Sequence, residues 1–353
     1  MENMGMKTFW KNKNVLVTGH TGFKGSWLSL WLSQMGANVY GYSLPADTSP
    51  SLFKQLKLND KIYHTIGDIC DFEKLTKYIN EIKIDFVFHL AAQSLVLRSY
   101  KDTLKTWQTN VMGTAHILEA LRHSEQSCSV IAITTDKVYK NNEWHYAYRE
   151  NDTLGGKDPY SASKAGCELV IESYRSLYLQ ERLPIKIASA RAGNVIGGGD
   201  WCENRLVPDI VRAIIKNTSI ETRNPKSVRP WQHVLEPLAG YLLLAEKLST
   251  DDKYASAFNF GPNIDDNRSV EDLIKVALEI WPGKYHTNIC KTSPVEAGLL
   301  KLTIDKAQSE LKWYPKWHFE MSVRKTIEWY KEVNQGVDPL DITLGQIKEY
   351  IIK

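Results

Sequence analysis

Val15-Leu16-Val17-Thr18-Gly19-His20-Thr21-Gly22-Phe23-Lys24-Gly25 is the stretch on which the fold turns. A short β-prone run passes straight into Gly-x-x-Gly-x-x-Gly, and an apolar helical pattern follows. In a strand–turn–helix unit, such glycines let the backbone approach a pyrophosphate, and the helix N-terminus offers it free N–H groups and the positive end of a dipole. A tight turn needing positive φ would explain the glycines alone. Their place directly after the first strand and at the mouth of a helix argues for a dinucleotide, with Gly19, Thr21, Gly22, Phe23, Lys24 and Gly25 as contacts.

Outward from that loop the pattern alternates. Residues 26–35 read as a helix with Leu28, Trp31 and Leu32 on one face, closed by Gly36. Strands are expected at 38–42, 63–66, 85–90, 130–134 and 185–190, with a long helix at 103–123. This is the α/β class: a doubly wound parallel sheet covered by helices on both faces. Past Arg191 the alternation fades at Gly197-Gly198-Gly199, which divides the chain into residues 1–190 and a smaller α/β domain, 191–353, some of whose segments return to the first. In the second part Ser269 and Asp272 form a capping-box pattern, and Asp305 precedes a short helix through Leu311 that stops near Pro315. The polar and aromatic run 141–157 reads as an inserted loop placed to cover a site.

Further cofactor positions follow from the strand ends. Asp68 and Ile69 follow the third strand, where an adenine edge would lie, and Leu90, Ala91 and Ala92 follow the fourth; Asn110, in the predicted long helix, completes the set. Strand two ends in Tyr40-Gly41-Tyr42-Ser43, without the acid that usually grips a ribose 2′-hydroxyl, so by itself it leaves NAD and NADP both open.

Tyr160 and Lys164 stand one helical turn apart, one loop beyond the fifth strand. The spacing is common by chance, and on its own describes a solvated helix face. At the nicotinamide end of a sheet it describes a base, because a nearby ammonium lowers a tyrosine pKa from about 10. Thr135-Asp136-Lys137 adds an acid and an amine beside that base, unless the two form an ordinary ion pair.

The 353 residues are 43% hydrophobic, enough for a large core, and 44 basic against 41 acidic residues leave a net charge of +3 that makes no broad case for nucleic acid. Cys70, Cys128, Cys167, Cys202 and Cys290 are widely spaced, without a Cys-x-x-Cys pair, and read as reduced thiols with no metal site. No signal-peptide core follows the first residues, and no apolar run approaches the roughly 20 residues needed to cross a bilayer. Cytoplasmic placement, with no membrane partner, is the expectation.

The segments Gly19 to Trp27, Thr135-Asp136-Lys137, Arg191 to Trp201 and Arg229-Pro230-Trp231-Gln232-His233-Val234 resemble the extended short-chain dehydrogenase/reductase family over nearly the whole chain, and within it the nucleotide-sugar dehydratases. The resemblance implies a Rossmann-type fold, NAD as cofactor, CDP-glucose as small-molecule substrate, and a place in deoxysugar synthesis for lipopolysaccharide. It implies a redox-neutral sequence in which Tyr160 takes the C4 hydroxyl proton while Thr135 hydrogen-bonds that hydroxyl. One of Asp136 and Lys137 then removes the C5 proton while the other protonates the departing C6 hydroxyl. Related dTDP-glucose enzymes carry Asp-Glu where this chain has Asp136-Lys137, so the two pKa values must approach one another from about 4 and 10. For the diphosphate, Arg229 and Asn194 are expected first, with Arg205 and Asn263 as further candidates, and Ser94 and Arg98 facing the sugar. Trp231 and His233 are either ligand contacts or core. A homodimer or homotetramer joined through helices 103–123 and 161–179 is expected. The competing assignments are a nucleotide-sugar 4-epimerase, which needs neither acid nor amine, and a non-catalytic NAD-binding regulator.

Overall fold

Successive residues of the first strand are sorted to opposite sides. Val15 and Val17 join Phe86, Phe88, Ile131 and Ile133 in one buried cluster, whereas Leu16 joins Val87, Val130 and Ala132 in another. Strands apolar on both faces belong in the middle of a three-layer structure, because each face must be covered by helices. The computed structural model describes residues 8–124, 126–222, 224–286 and 299–352. Its central sheet consists of β1 (Asn14–Thr18), β2 (Asn38–Ser43), β3 (Tyr63–Ile66), β4 (Phe86–His89), β5 (Cys128–Ile133), β6 (Ile185–Ala192) and β7 (Ala257–Phe260). The spatial order is β7-β6-β5-β4-β1-β2-β3, and every pair is parallel. Thr18 pairs with Tyr42 on one side and His89 on the other, so the order reverses at the end of β1. A crevice opens there, beyond the carboxyl ends of the strands.

Helices α1 (Phe23–Gln34) and α8 (Leu235–Thr250) cover one face; α2 (Phe72–Glu81), α5 (Gly113–Arg122) and α6 (Pro159–Gln180) cover the other. Gly36 ends the first of these with φ +83°. The predicted long helix is not uniform. After α3 (Val96–Lys101), helix α4 (Thr103–Trp107) runs into α5 through a π-helical turn, Gln108–Met112. At its centre the buried Asn110 carbonyl accepts from Thr114 Oγ1 at 2.6 Å and from Cys167 Sγ at 3.0 Å. Those side chains capture a carbonyl that a regular helix would have used, and the turn widens.

Beyond Ala192, apart from β7, the strands are shorter: besides α7 (Leu206–Ile215), the described residues form three two-stranded pairings, Val195–Ile196 with Gln232–His233, Val228–Arg229 with Arg268–Ser269, and Ser219–Glu221 with Lys284–His286. The capping box forms, with Asp272 N–H donating to Ser269 Oγ at 3.1 Å and Ser269 N–H to Asp272 at 3.0 Å. The segment after Asp305 coils as the π-helical turn Ala307–Leu311 and stops at Lys312, φ +58°. Both α8 and β7 return to the main sheet, so residues after 191 complete the core that the first part began. The insertion after β5 is pinned by Tyr139 stacked on Tyr148, ring centres 5.2 Å apart, with Leu300 and Leu302 beneath.

Candidate active site

The crevice is a cleft of about 1010 Å³. Its cofactor arm begins at the glycine loop. Gly19 has φ +75°, and a Cβ there would lie 2.7 Å from Ala91 N; a Cβ on Gly25 would lie 2.2 Å from the Gly19 carbonyl oxygen. Neither position admits a side chain, and the resulting tight turn leaves a cradle of main chain at the head of α1, the shape a pyrophosphate requires. Thr21 donates its hydroxyl proton to the Leu44 carbonyl at 2.9 Å, so the 2.9 Å bond to Ser43 has Ser43 as donor. Asp68 accepts from Cys70 N–H at 2.9 Å and pairs with Lys105 at 3.2 Å; burial pushes its carboxyl up, yet these two partners hold it below the ordinary range. Ile69, Leu90, Ala91 and Ala92 line the same arm. Asn110 does not. It lies behind the wall, bonding the main chain of Gln93 through both ends of its amide, at 2.8 and 3.0 Å, and Ser163 Oγ at 2.9 Å. It therefore holds the 91–95 loop onto α6 rather than touching a ligand.

At the centre of the cleft α6 begins with Pro159 and an Asp158–Ser161 capping box, which sets the helix start and places Tyr160 in the first turn. Lys164 donates to the Ile133 carbonyl at 3.2 Å. The expected lowering of Tyr160 by Lys164 is not what the surroundings produce. Burial dominates and pushes the phenol up to about 12, with the Asp136 charge adding to it, while the Thr135 hydroxyl and Arg205 oppose. Lys164 is pulled down by burial against the favourable charges of Cys167 and Glu168. Lys24, named from sequence only as part of the loop, lines the cleft near Lys164 and Arg205. Burial first, then those two cations, take its amine down to about 7.

Thr135 caps a single 3₁₀ turn, Asp136–Val138, whose first two residues are the acid and the amine. Asp136 is fully buried, accepts from Thr135 Oγ1 at 2.9 Å, and faces Lys137 Nζ at 3.7 Å. Its other oxygen, Oδ2, has no partner among the described residues. That oxygen is walled by Gly193, where an added Cβ would sit 1.9 Å from it. Thr135, Lys137, Tyr160 and Lys164 line the cleft; Asp136 sits one layer behind them, against Gly193.

The second arm is built from long side chains. Arg205 pairs with the buried Asp200 at 2.8 Å and donates to Ser94 Oγ at 3.0 Å. Arg98 bridges Asp47 at 3.0 Å and Glu203 at 3.4 Å. Arg229 is buried and donates to the Val228 carbonyl at 2.9 Å. Asn194 adopts φ +47°, and its buried Oδ1 has no partner among the described residues. Trp231 lines the cleft, whereas His233 is core, packed on Trp27 and Trp317 and driven down to about 3 by burial. Asn263 is a correction: it is exposed at the start of a 3₁₀ turn outside the cleft, where its carbonyl accepts from Asp266 N–H. Sequence reasoning missed Asp47, Lys105, Asp200 and Glu203. Only Asp200, beside Trp201 in a motif already singled out, carried a local signal; the rest depend on which loops meet.

Residues 16–326 match the model of the GDP-mannose 4,6 dehydratase family. The chain is 46% identical to the CDP-glucose 4,6-dehydratase of Salmonella typhimurium over 98% of each chain. Two crystal structures share its fold: dTDP-glucose 4,6-dehydratase from Bacillus anthracis in complex with NAD (TM-score 0.76, 22% identity, 93% of this chain and 99% of that one) and UDP-glucose 4-epimerase from Thermotoga maritima with UDP-glucose (0.78, 22%, 91% and 99%).

Proposed function

This chain belongs to the GDP-mannose 4,6 dehydratase family, and on that premise we propose that it is a lyase converting CDP-D-glucose to CDP-4-dehydro-6-deoxy-D-glucose and water, with NAD as cofactor. The observation that carries the proposal is the meeting, in one cleft, of the glycine cradle, the Tyr160–Lys164 pair, the Thr135–Lys137 turn and the arginines of the second arm.

Gly19, Gly22 and Gly25 would hold the NAD pyrophosphate on the head of α1, with Asp68 and Ile69 at the adenine end and Lys164 at the nicotinamide ribose. NAD held there would supply the redox chemistry, accepting hydride from C4 and giving it back at C6. Tyr160 accepts the C4 hydroxyl proton. Its phenol is protonated in the free protein, so that proton must leave as the ligands bind, a change the Thr135 hydroxyl and the Arg205 charge favour. The C4 ketone acidifies C5. Lys137, which lines the cleft, takes the C5 proton, and the C6 hydroxyl departs as water with a proton delivered by the Thr135 hydroxyl, which is bonded to Asp136 behind the lining. The proton held by Lys137 returns to C5 as C6 is reduced, so oxidant and reductant balance within one substrate. Arg205, Arg229, Asn194, Ser94 and Arg98 take the diphosphate and sugar.

We assign residues 1–190 to the NAD-binding and catalytic part and 191–353 mainly to the nucleotide sugar. Leu104, Trp107, Met112 and Leu169 are exposed apolar residues on or beside α4, α5 and α6; a homodimer or homotetramer would bury them, and light scattering at the monomer mass would remove that assignment. Cytoplasmic placement is supported by free Cys70, Cys128, Cys167 and Cys202 and by the lack, among the described residues, of a helix long and apolar enough to cross a membrane.

The test incubates the protein with NAD and, separately, CDP-, dTDP-, UDP- and GDP-glucose, and reads loss of one water by mass spectrometry. Loss from CDP-glucose alone is expected. Loss from another sugar nucleotide alone keeps the mechanism and overturns the substrate, and an isomer without water loss overturns both in favour of the epimerase.

A further inference from the structure

We infer that Glu168 is a positioning residue: through Arg191 it locks the helix bearing Tyr160 and Lys164 to the turn bearing Thr135, Asp136 and Lys137. Tyr160, Lys164 and Glu168 recur every four residues and share one face of α6. Lys164 holds the Ile133 carbonyl at 3.2 Å, and Glu168 accepts from the next residue, Thr134 Oγ1, at 2.5 Å. Its other oxygen accepts from Ser189 Oγ and from Arg191, each at 2.8 Å. Arg191 in turn donates to Tyr139 Oη at 2.9 Å and to the Glu150 carbonyl at 2.8 Å. The catalytic turn is thus gripped on both flanks, at Thr134 and at Tyr139, by one ion pair whose members are only 4% and 5% exposed.

Stability alone is a poor reason for that pair, because desolvation consumes much of the attraction between buried charges, and an apolar pair of equal volume often does as well. A pair with nearly every donor and acceptor engaged does something an apolar pair cannot: it sets direction and register between two segments. Glu168 also faces Lys164 electrostatically and favours its ammonium form, against Lys24 of the glycine loop and His89 of β4, each of which is coupled unfavourably to Lys164. Besides Lys164, Arg191 and Arg175 are cations coupled to Glu168.

The inference rests on the dehydratase proposal for its activity readout only. Glu168→Gln keeps the shape and removes the charge; Thr134→Val removes one hydroxyl and leaves the ion pair intact. For Glu168→Gln, kcat should fall about a hundredfold, with KM and NAD affinity within about twofold. The alkaline limb of its pH profile should move to lower pH, because Lys164 loses a neighbouring negative charge and gives up its proton sooner. Thr134→Val should lower kcat about tenfold without moving the limb. Hydrogen–deuterium exchange of the NAD-free protein reads the lock independently of turnover: both variants should speed exchange in residues 133–139 at least about fivefold, with the rest of the sheet unchanged. Wild-type exchange there in both variants overturns the inference, as does a loss of kcat with an unmoved pH limb in Glu168→Gln. If the wild type itself removed no water, the dehydratase proposal would fail, and the exchange measurement alone would decide this one.

Discussion

The two arms of the cleft are built from different materials. Where it meets α1 the cofactor arm is main chain, glycine and hydroxyl: Gly22 N–H closes on the Gly19 carbonyl at 3.1 Å and Ser26 N–H on the Gly22 carbonyl at 2.9 Å, before any ligand arrives. The substrate arm is made of arginines already engaged, Arg98 with Asp47 and Glu203, and Arg205 with Asp200 and Ser94. A backbone cradle is preformed and binds without rearrangement. An arm of ion pairs must exchange partners, at a cost of about 0–1 kcal/mol for an exposed pair such as Arg98–Glu203 and more where one member is buried, as Asp200 is. The lesson is that one arm is set by which residues are absent and the other by which loops are brought together.

Gly25→Ala should break the comparison most severely. Its Cβ would enter the Gly19 carbonyl at 2.2 Å, so NAD affinity measured by calorimetry is expected to fall about a hundredfold or more, equal to about 3 kcal/mol. Wild-type affinity would show that the cradle is not rigid. Gly193→Ala tests the boundary between the arms. By pushing Asp136 away from its wall it should slow water loss about fiftyfold while C4 oxidation survives, so reduced NAD accumulates where the wild type shows almost none. Should oxidation and elimination fall together, Asp136 has no separate role. Arg205→Lys should then raise KM for the sugar nucleotide about tenfold, because an ammonium cannot reproduce the guanidinium fork, and leave NAD affinity unchanged; a rise in both would mean that the arms are not separable.

Glu236 provides the smallest effect and a control outside both arms. It accepts from the N–H groups of Lys316 and Trp317 and from Tyr350 Oη, and burial, ahead of these partners, raises its carboxyl from 4.5 to about 7. The folded state therefore keeps a proton that the unfolded chain loses, and this group's share of stability declines as pH rises from about 4.5 to about 7. Glu236→Gln should flatten the decline by a few degrees of Tm across that window without changing KM for either ligand. An unaltered slope would mean that the carboxyl is not protonated in the fold.

How far the sequence could be read follows the same division. Strands β1 to β6 were legible within a few residues, most of them because a parallel strand buried on both faces is a short, nearly continuous apolar run, whereas β7, Ala257-Phe258-Asn259-Phe260, lay past the point where the alternation faded and was missed. Gly19 and Gly25 were legible because close backbone approach admits one residue type. The break at Asn110 was not, since it depends on Thr114 and Cys167 capturing a carbonyl, and Cys167 comes from another helix. Asn263 was misplaced because a polar residue after Gly261-Pro262 looks alike whether it faces a cleft or solvent. The pKa of Tyr160 ran opposite to expectation because one turn of helix predicts proximity to Lys164, whereas burial comes from everything packed around the phenol.

By itself the sequence determined the parallel α/β core and the glycine cradle, which rest on local spacing and side-chain periodicity, while the proposed catalytic set drew on family resemblance as well as on spacing. Only the tertiary structure decided that Asp136 lies behind the cleft against Gly193, that Arg98 and Arg205 pair with Asp47 and Asp200, and that the Glu168–Arg191 pair bonds Thr134 and Tyr139 on either side of the 136–138 turn. Burial and pairing are properties of neighbours brought from far along the chain, and spacing along the sequence does not contain them.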